Sequence, residues 1–369
     1  VNRRENERLI RAIDDARQAG QRIAIATVVR VRGSAYRREG ARIVVRQDRS
    51  YECLLSGGCL EPVVAEIAAK VLESGVPVIR EYDLEEDSIW SLALGCSGAV
   101  DIYIERLEDD PVTNEWLATI GGTEAAVLVK RLSDAPGRLL VRERDTAGSL
   151  GDDALDREAV DRARGRMHTT FPVSGSELIG RAEVFFDVTP PPPELVIFGA
   201  GPDAEPLARL GWELGFTVTV VDVREAFLTR ERFPHASLVS AHFSRFHEAL
   251  VLHQRSCAVI MNHHLERDRE SLRFALESRA AYIGALGPRS RFQKLLSGLR
   301  EQGVVLDPAT VSHVRSPVGL ALGAESPEEI AVSILSEILA IQRGFDGGFL
   351  AGRDGSLHRS SDTSALARS

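Results

Sequence analysis

Glu194-Leu-Val-Ile-Phe198, then Gly199-Ala-Gly201-Pro-Asp-Ala204, a helical stretch through Leu214, and Phe216-Thr-Val-Thr-Val-Val221-Asp222 form the stretch on which the fold turns. A short apolar run without polar alternation reads as a strand buried on both faces. Two glycines follow where the chain must turn tightly, and a helix begins at once. The next apolar run ends in an acid about 20 residues on, as in the βαβ unit of dinucleotide-binding sheets. In that unit the glycines admit a close backbone approach, the helix N-terminus faces a pyrophosphate, and the acid reaches a ribose hydroxyl. Ala204 stands at the third glycine position, where a small residue suffices for helix–strand packing. The stretch predicts a doubly wound parallel sheet and makes Gly199, Gly201 and Asp222 candidate cofactor contacts. A Rossmann sheet that binds no nucleotide fits the same residues.

Pro190 to Pro193 precede the first strand, and a proline run is a stiff, extended spacer. The chain is therefore expected to divide into a first domain at residues 1–188, a proline linker at 189–193, a Rossmann domain at 194–345 and a flexible tail at 346–369. Downstream, Ser256-Cys-Ala-Val-Ile-Met-Asn262 is a further buried strand running into His263-His264. Strand ends of an open parallel sheet face the binding crevice, which makes His263 a candidate contact. An ordinary hydrogen-bonded loop histidine is the competing reading. His235, His242, His247 and His253 share no metal-ligand spacing and are expected at the surface. Gly287-Pro-Arg-Ser-Arg291 opens a helix after the strand Ala281–Leu286, where amides and arginines could hold a phosphate; a capped helix with a solvated basic turn is an equal reading. Ser326-Pro-Glu-Glu329 carries the signals of a capped last helix.

In the first half, Asn6 to Ala19 is amphipathic, with Leu9, Ile10, Ile13 and Ala16 on one face. Arg22 to Val31 reads as a strand, Gly33 to Gly40 as a polar loop, and Ala41–Arg46 with Tyr51–Leu55 as a hairpin. Ser56-Gly57-Gly58-Cys59-Leu60-Glu61 then leads into a helix reaching about Leu72. Glycines there permit close approach of a ligand, and the positive helix end favours an anion or a thiolate. Cys59 is thus a candidate nucleophile or soft-metal ligand, against the alternative of a small buried residue. A second cysteine between glycines, Gly95-Cys96-Ser97-Gly98, precedes an alternating strand, Ala99–Glu105. Cys53 and Cys257 fall in strand patterns and are expected in the core. Thr113–Gly121 reads as a helix, and Ala125–Lys130, Arg138–Arg144 and Ala182–Val188 as strands completing the first domain's sheet. The acidic run Gly148–Asp156 and the arginine-rich helix after it are expected as solvated surface.

The 369 residues carry a net charge of -9, which argues against non-specific nucleic-acid binding. No signal peptide or membrane-spanning run is recognisable. The four cysteines are too few and too scattered for a disulfide framework or a zinc knuckle. The expectation is a cytoplasmic protein that binds neither nucleic acid nor membrane.

Gly33-Ser-Ala-Tyr-Arg-Arg-Glu-Gly-Ala-Arg42, Ser56-Gly-Gly-Cys-Leu-Glu61 and Leu94-Gly-Cys-Ser-Gly98 resemble motifs of the XdhC/CoxI family, accessory proteins of xanthine dehydrogenase and aerobic carbon monoxide dehydrogenase. Tyr282-Ile-Gly-Ala-Leu-Gly287, Ser316-Pro-Val-Gly-Leu320 and Pro327-Glu-Glu-Ile-Ala331 resemble it as well. The chain departs from the family pattern at Tyr36, Ser97, Leu54-Leu55 and Asn262. The resemblance implies an N-terminal α+β XdhC/CoxI-like domain followed by a Rossmann domain. It implies a chaperone that binds the molybdenum cofactor, as molybdopterin or its cytosine dinucleotide. Such a protein supports the cofactor's sulfuration with a cysteine desulfurase and inserts it into a xanthine dehydrogenase-type molybdenum hydroxylase. Cys59 and Cys96 would handle sulfur, Cys59 contacting molybdenum, while amides around Gly57, Gly58 and Gly95 would hold the pterin phosphate. A homodimer is the expected assembly. Two other readings stand beside it: an NAD(P)-dependent oxidoreductase resting on Gly199, Gly201 and Asp222, and a docking module with an empty crevice. The cysteines do not have iron–sulfur spacing, so hydroxylation of xanthine by this chain alone is not expected.

Overall fold

The structure, a computed structural model, describes residues 3–83, 98–132, 136–169 and 172–352. Gly95 and Cys96 lie outside the described residues. The chain forms two compact units whose boundary falls within the proline run, between Pro191 and Pro192.

In the first unit α1 (Arg3–Gln18) leads into β1 (Ile23–Gly33), β2 (Arg42–Arg46) and β3 (Tyr51–Glu52), followed by α2 (Glu61–Ser74), β4 (Val78–Asp83) and β5 (Gly98–Arg106). These strands make one antiparallel sheet in the order β3-β2-β1-β5-β4. Side chains of β1 alternate between two clusters: Ala24, Ala26 and Val28 pack with Val64, Ala68 and Leu72 of α2. Ile23 and Ile25 pack with Leu9 and Ile13 of α1. Both faces are thus covered, which is why the strand reads as a near-continuous apolar run.

After α3 (Pro111–Gly121) come β6 (Ala126–Arg131), β7 (Arg138–Arg142), β8 (Thr146–Ser149), α4 (Asp153–Met167), β9 (Gly175–Ile179) and β10 (Ala182–Thr189). These strands do not complete the first sheet. They form a second antiparallel sheet, in the order β8-β7-β6-β10-β9. Both hydrogen-bonding edges of β1 are already taken by β2 and β5, and successive hairpins pair with their sequence neighbours. The arginine-rich α4 is likewise not merely solvated. Leu155, Ala159 and Ala163, spaced one turn apart, form a buried stripe against the second sheet, while Arg162 and Arg166 reach Glu177 on β9.

The alternation of β5 does not separate water from core. Val100, Ile102 and Ile104 face α2, whereas Asp101 and Glu105 point the other way and are buried. Asp101 accepts from Arg30 and Arg32, and Glu105 accepts from Lys130 of β6 at 2.6 Å. A second buried pair joins the two sheets, Arg42 of β2 donating both guanidinium nitrogens to Asp187 of β10 at 2.9 and 3.1 Å. Gly98, opposite Gly33 in the β1–β5 register, shows why one glycine of the second cysteine loop is needed. A Cβ there would stand 2.5 Å from the carbonyl oxygens of Arg32 and Ser34. Gly98→Ala is expected to destabilise the first unit by about 1–3 kcal/mol through this overpacking, read as an earlier denaturant transition.

The second unit contains β11 (Glu194–Phe198), α5 (Ala204–Glu213), β12 (Thr217–Asp222), β13 (Ser237–Ser240), α6 (Phe246–Ala249), β14 (Ser256–Ile260), α7 (Leu265–Leu276), β15 (Tyr282–Ala285), α8 (Arg289–Glu301), α9 (Pro308–Ser312), β16 (Val314–Arg315) and α10 (Pro327–Arg343). All six strands run parallel, in the order β13-β12-β11-β14-β15-β16. Leu195 and Ile197 of β11 pack with α5 and α10, while Val196 and Phe198 pack with α7 and α8 on the opposite face. This is the doubly wound arrangement expected from the glycine turn. The order reverses between β11 and β14, so the crevice lies at their C-terminal ends. Ser326 and Glu329 close a reciprocal capping box on α10. No described helix is long and apolar enough to cross a membrane.

Candidate functional site

Cys59 is exposed, on a turn that the chain holds from beneath. The hydroxyl of Ser56 accepts from the amides of Gly58, Cys59 and Leu60 at 3.1–3.2 Å and donates to Glu61 Oε2 at 2.6 Å. Glu61 is fully buried, and its other oxygen accepts from the amides of Leu55 and Ser56 at 2.8 and 2.7 Å. The amides of Gly58, Cys59 and Leu60 therefore already close on an oxygen of the protein itself and are not free for a pterin phosphate. The thiol is left outward, and a Cβ on Gly57 or Gly58 would meet nothing within 4 Å among the described residues. Sequence reasoning does not single out Ser56 or Glu61, although they bracket the motif. Ala35, Leu55, Leu60 and Val100 share one apolar cluster, which ties this turn to the loop ending in Gly40 and to the start of β5.

Burial alone would push the Glu61 carboxyl up, but its bonds from Ser56 and the loop amides outweigh that and hold it below the usual range. A depressed carboxylate contributes stability above its unfolded value of about 4.3. That contribution is lost as pH falls through the lower folded value. Ser56→Ala leaves Glu61 and three amides short of a partner, at an expected cost of about 1–3 kcal/mol. It should also change the rate of Cys59 alkylation by iodoacetamide, whereas Ser56→Thr should restore it.

The other described cysteines are of a different kind. Cys53 sits just past the end of β3, half-buried at a left-handed φ of 72°. Burial, reinforced by Glu5, pushes its thiol up. Cys257 is in the core of β14, where burial pushes it up to about 12 against the opposing bond from Gln342. Both are poor thiolates, but only Cys257 is the core strand residue expected; Cys53 lies beyond the strand, because β3 ends at Glu52 and the chain turns there. Arg37 pairs with Glu5, and Glu39 accepts from the amide of Val31. With Arg42 on Asp187, much of the Gly33–Arg42 motif is structural.

In the second unit, Gly199 and Gly201 are buried. Gly199 has φ 117°, and a Cβ there would stand 2.5 Å from the carbonyl oxygen of Met261. Gly199→Ala is expected to cost about 1–3 kcal/mol, measured as loss of the second unit's denaturation midpoint. Asp222 is 3% exposed. Oδ2 accepts from Ala200 N at 2.8 Å and from Arg224 Nη2, while Oδ1 accepts from the backbone amide and Nε of Arg224. Burial would raise its pKa, but the Arg224 bonds prevail and hold the carboxyl below the usual range. Arg224 also lies 4.1 Å over the Phe227 ring. The acid that sequence assigns to a ribose is occupied by the arginine two residues later.

His263 stands at the end of β14 with a left-handed φ of 56° and bonds Asp203 Oδ2 through Nε2 at 2.6 Å. Asp203, in the glycine turn, carries no sequence signal of this role. Asn262 donates to Asp268 and Ser271. Arg291 is ion-paired with the same Asp268, so it ties α8 to this loop rather than pointing at a phosphate. His235 stacks on Trp212, and no group of three metal-ligating side chains occurs among the described residues.

Residues 16–83 match the model of the XdhC and CoxI family, and residues 195–338 match the XdhC Rossmann domain. The chain is 32% identical to a probable xanthine dehydrogenase subunit from Bacillus subtilis, covering 86% of this chain and 93% of that protein. The chain belongs to the XdhC and CoxI family. It is also 24% identical to the molybdenum cofactor insertion chaperone PaoD of Escherichia coli, over 92% of this chain and 89% of that one. A crystal structure described as a xanthine dehydrogenase from Bacillus halodurans superimposes with a TM-score of 0.73 at 29% identity, covering 91% and 96% of the two chains. The XdhC and CoxI resemblance read from the cysteine loops and the glycine turn is therefore correct, as is the combination of an α+β unit with a Rossmann sheet.

Proposed function

We propose that this protein is an accessory factor that carries the molybdenum cofactor and delivers it to a xanthine dehydrogenase-type molybdenum hydroxylase. The observation that carries this reading is the exposed Cys59 thiol, presented on a turn whose amides at Gly58, Cys59 and Leu60 already close on Ser56. Likeness to an insertion chaperone over nearly the full length supports it. The residues fit the group: thiolate sulfur is a soft donor suited to molybdenum, and a Cβ on Gly57 or Gly58 would meet no described residue within 4 Å. When bound, the cofactor supplies the redox centre of the client enzyme, whereas this chain presents the thiol and fixes its position through Ser56 and Glu61. Cys96 and a cysteine desulfurase belong to the sulfuration step of the same reading, and a homodimer is its expected assembly.

The test is a transfer experiment. Protein isolated without oxygen from a molybdate-fed host is mixed with an apo-hydroxylase in the absence of free cofactor. Hydroxylase activity should appear in proportion to the carrier added. Protein that brings neither pterin nor molybdenum, and activates nothing, would overturn the reading.

A further inference from the structure

The crevice at the end of β11 and β14 has the chain order of a dinucleotide site but not its chemistry. Four features depart from it. The residue after the second glycine is Pro202, which has no N–H, so a donor is missing from the turn that would face a diphosphate. The next residue, Asp203, places a carboxylate where the helix end would otherwise meet an anion. A Cβ on the buried Gly201 would stand 2.6 Å from Asp203 Oδ1 and 3.8 Å from His263 Cδ2, so these side chains crowd the backbone that should approach a ligand. At the far side, Asp222 is closed by Arg224.

What the crevice presents instead is an acid–base pair. Among the described residues, Asp203 has a single hydrogen-bonded oxygen, on His263; the other is buried without a partner there. An ionised carboxylate only accepts, so Nε2 of His263 carries the hydrogen that faces it, and in the neutral imidazole Nδ1 then keeps its lone pair. The imidazole is 60% exposed, on a backbone conformation that non-glycine residues seldom adopt. A carboxylate that fixes the tautomer and faces the developing imidazolium is the arrangement that makes histidine an oriented proton acceptor.

We infer that the Asp203–His263 pair is a proton-accepting site for a ligand that offers an ionisable N–H, O–H or S–H and carries no diphosphate, and that Asp203 is the residue that rejects dinucleotides. The proton passes from the ligand heteroatom to Nδ1, and the resulting imidazolium is balanced by the Asp203 carboxylate. A dinucleotide form of the pterin would have to place its diphosphate elsewhere. This inference goes beyond the carrier reading, and pterin content measured on the same samples keeps the two failures distinguishable.

Calorimetric titration of the full chain with NADH, ADP-ribose and inorganic pyrophosphate tests the exclusion. The unaltered protein should show no binding of any of the three at about 1 mM, weaker than nearly all dinucleotide sites. Asp203→Asn should bind pyrophosphate at least about tenfold more tightly, the like charge having been removed. Micromolar NADH binding by the unaltered protein, or no gain in Asp203→Asn, would overturn it. The proton-accepting role is read on the unaltered protein by the imidazole ¹⁵N shifts of His263. A protonated Nε2 with a bare Nδ1 is expected, and the opposite or an averaged tautomer would remove the base.

Discussion

Cys59→Ala, purified without oxygen from a molybdate-fed host, is expected to retain at least about tenfold less molybdenum and pterin than the unaltered protein. A contact worth about 1.4 kcal/mol corresponds to that factor. The substitution removes a soft donor that is exposed and makes no hydrogen bond among the described residues, so the fold should be undisturbed. Far-UV circular dichroism and the denaturation midpoint should therefore match the unaltered protein while elemental analysis and pterin fluorescence fall. Cys257→Ala is the internal control, since that thiol is buried beside Gln342 and serves packing. Equal cofactor retention in Cys59→Ala and the unaltered protein would mean that the thiol is not a contact.

The second large effect concerns the buried ion pair between the two sheets of the first unit. Arg42 and Asp187 are 4% and 1% exposed, and Arg42 also donates to the carbonyl of Gly40 and lies over Trp116. Asp187→Ala leaves a guanidinium buried without its counter-charge, at an expected cost of about 3–5 kcal/mol. Denaturation of the first unit should shift accordingly, with the second unit's transition in place. Arg42→Met combined with Asp187→Leu should recover most of the loss, because an apolar pair of similar volume avoids desolvating two charges. A double variant no better than Asp187→Ala would show that the pair does more than neutralise itself.

Much of the fold was legible because local and global signals agree. The apolar run Leu195–Phe198 is buried on both faces, and uninterrupted hydrophobicity says so without tertiary knowledge. The glycine at 199 follows equally directly, since only a residue without Cβ fits against the Met261 carbonyl. The Cys59 turn was legible as a loop leading into a helix, because two glycines interrupt the apolar pattern just before Glu61. By contrast, Asp101 and Glu105 looked like the wet side of a strand. Their partners, Arg30, Arg32 and Lys130, come from distant segments, and periodicity carries no information on which charges will meet.

The sequence by itself determined the parallel sheet, the core status of Cys257, and the family through its motifs. Each is a property of neighbouring residues: apolar period, missing Cβ. Only tertiary structure decided that residues 126–189 build a second sheet, that Ser56 and Glu61 close the loop amides, and that Arg224 seals Asp222. It also decided that Asp203 meets His263, 60 residues away. In all four cases the deciding quantity is whether a hydrogen-bonding group already has a partner, and a partner is fixed by distance in space.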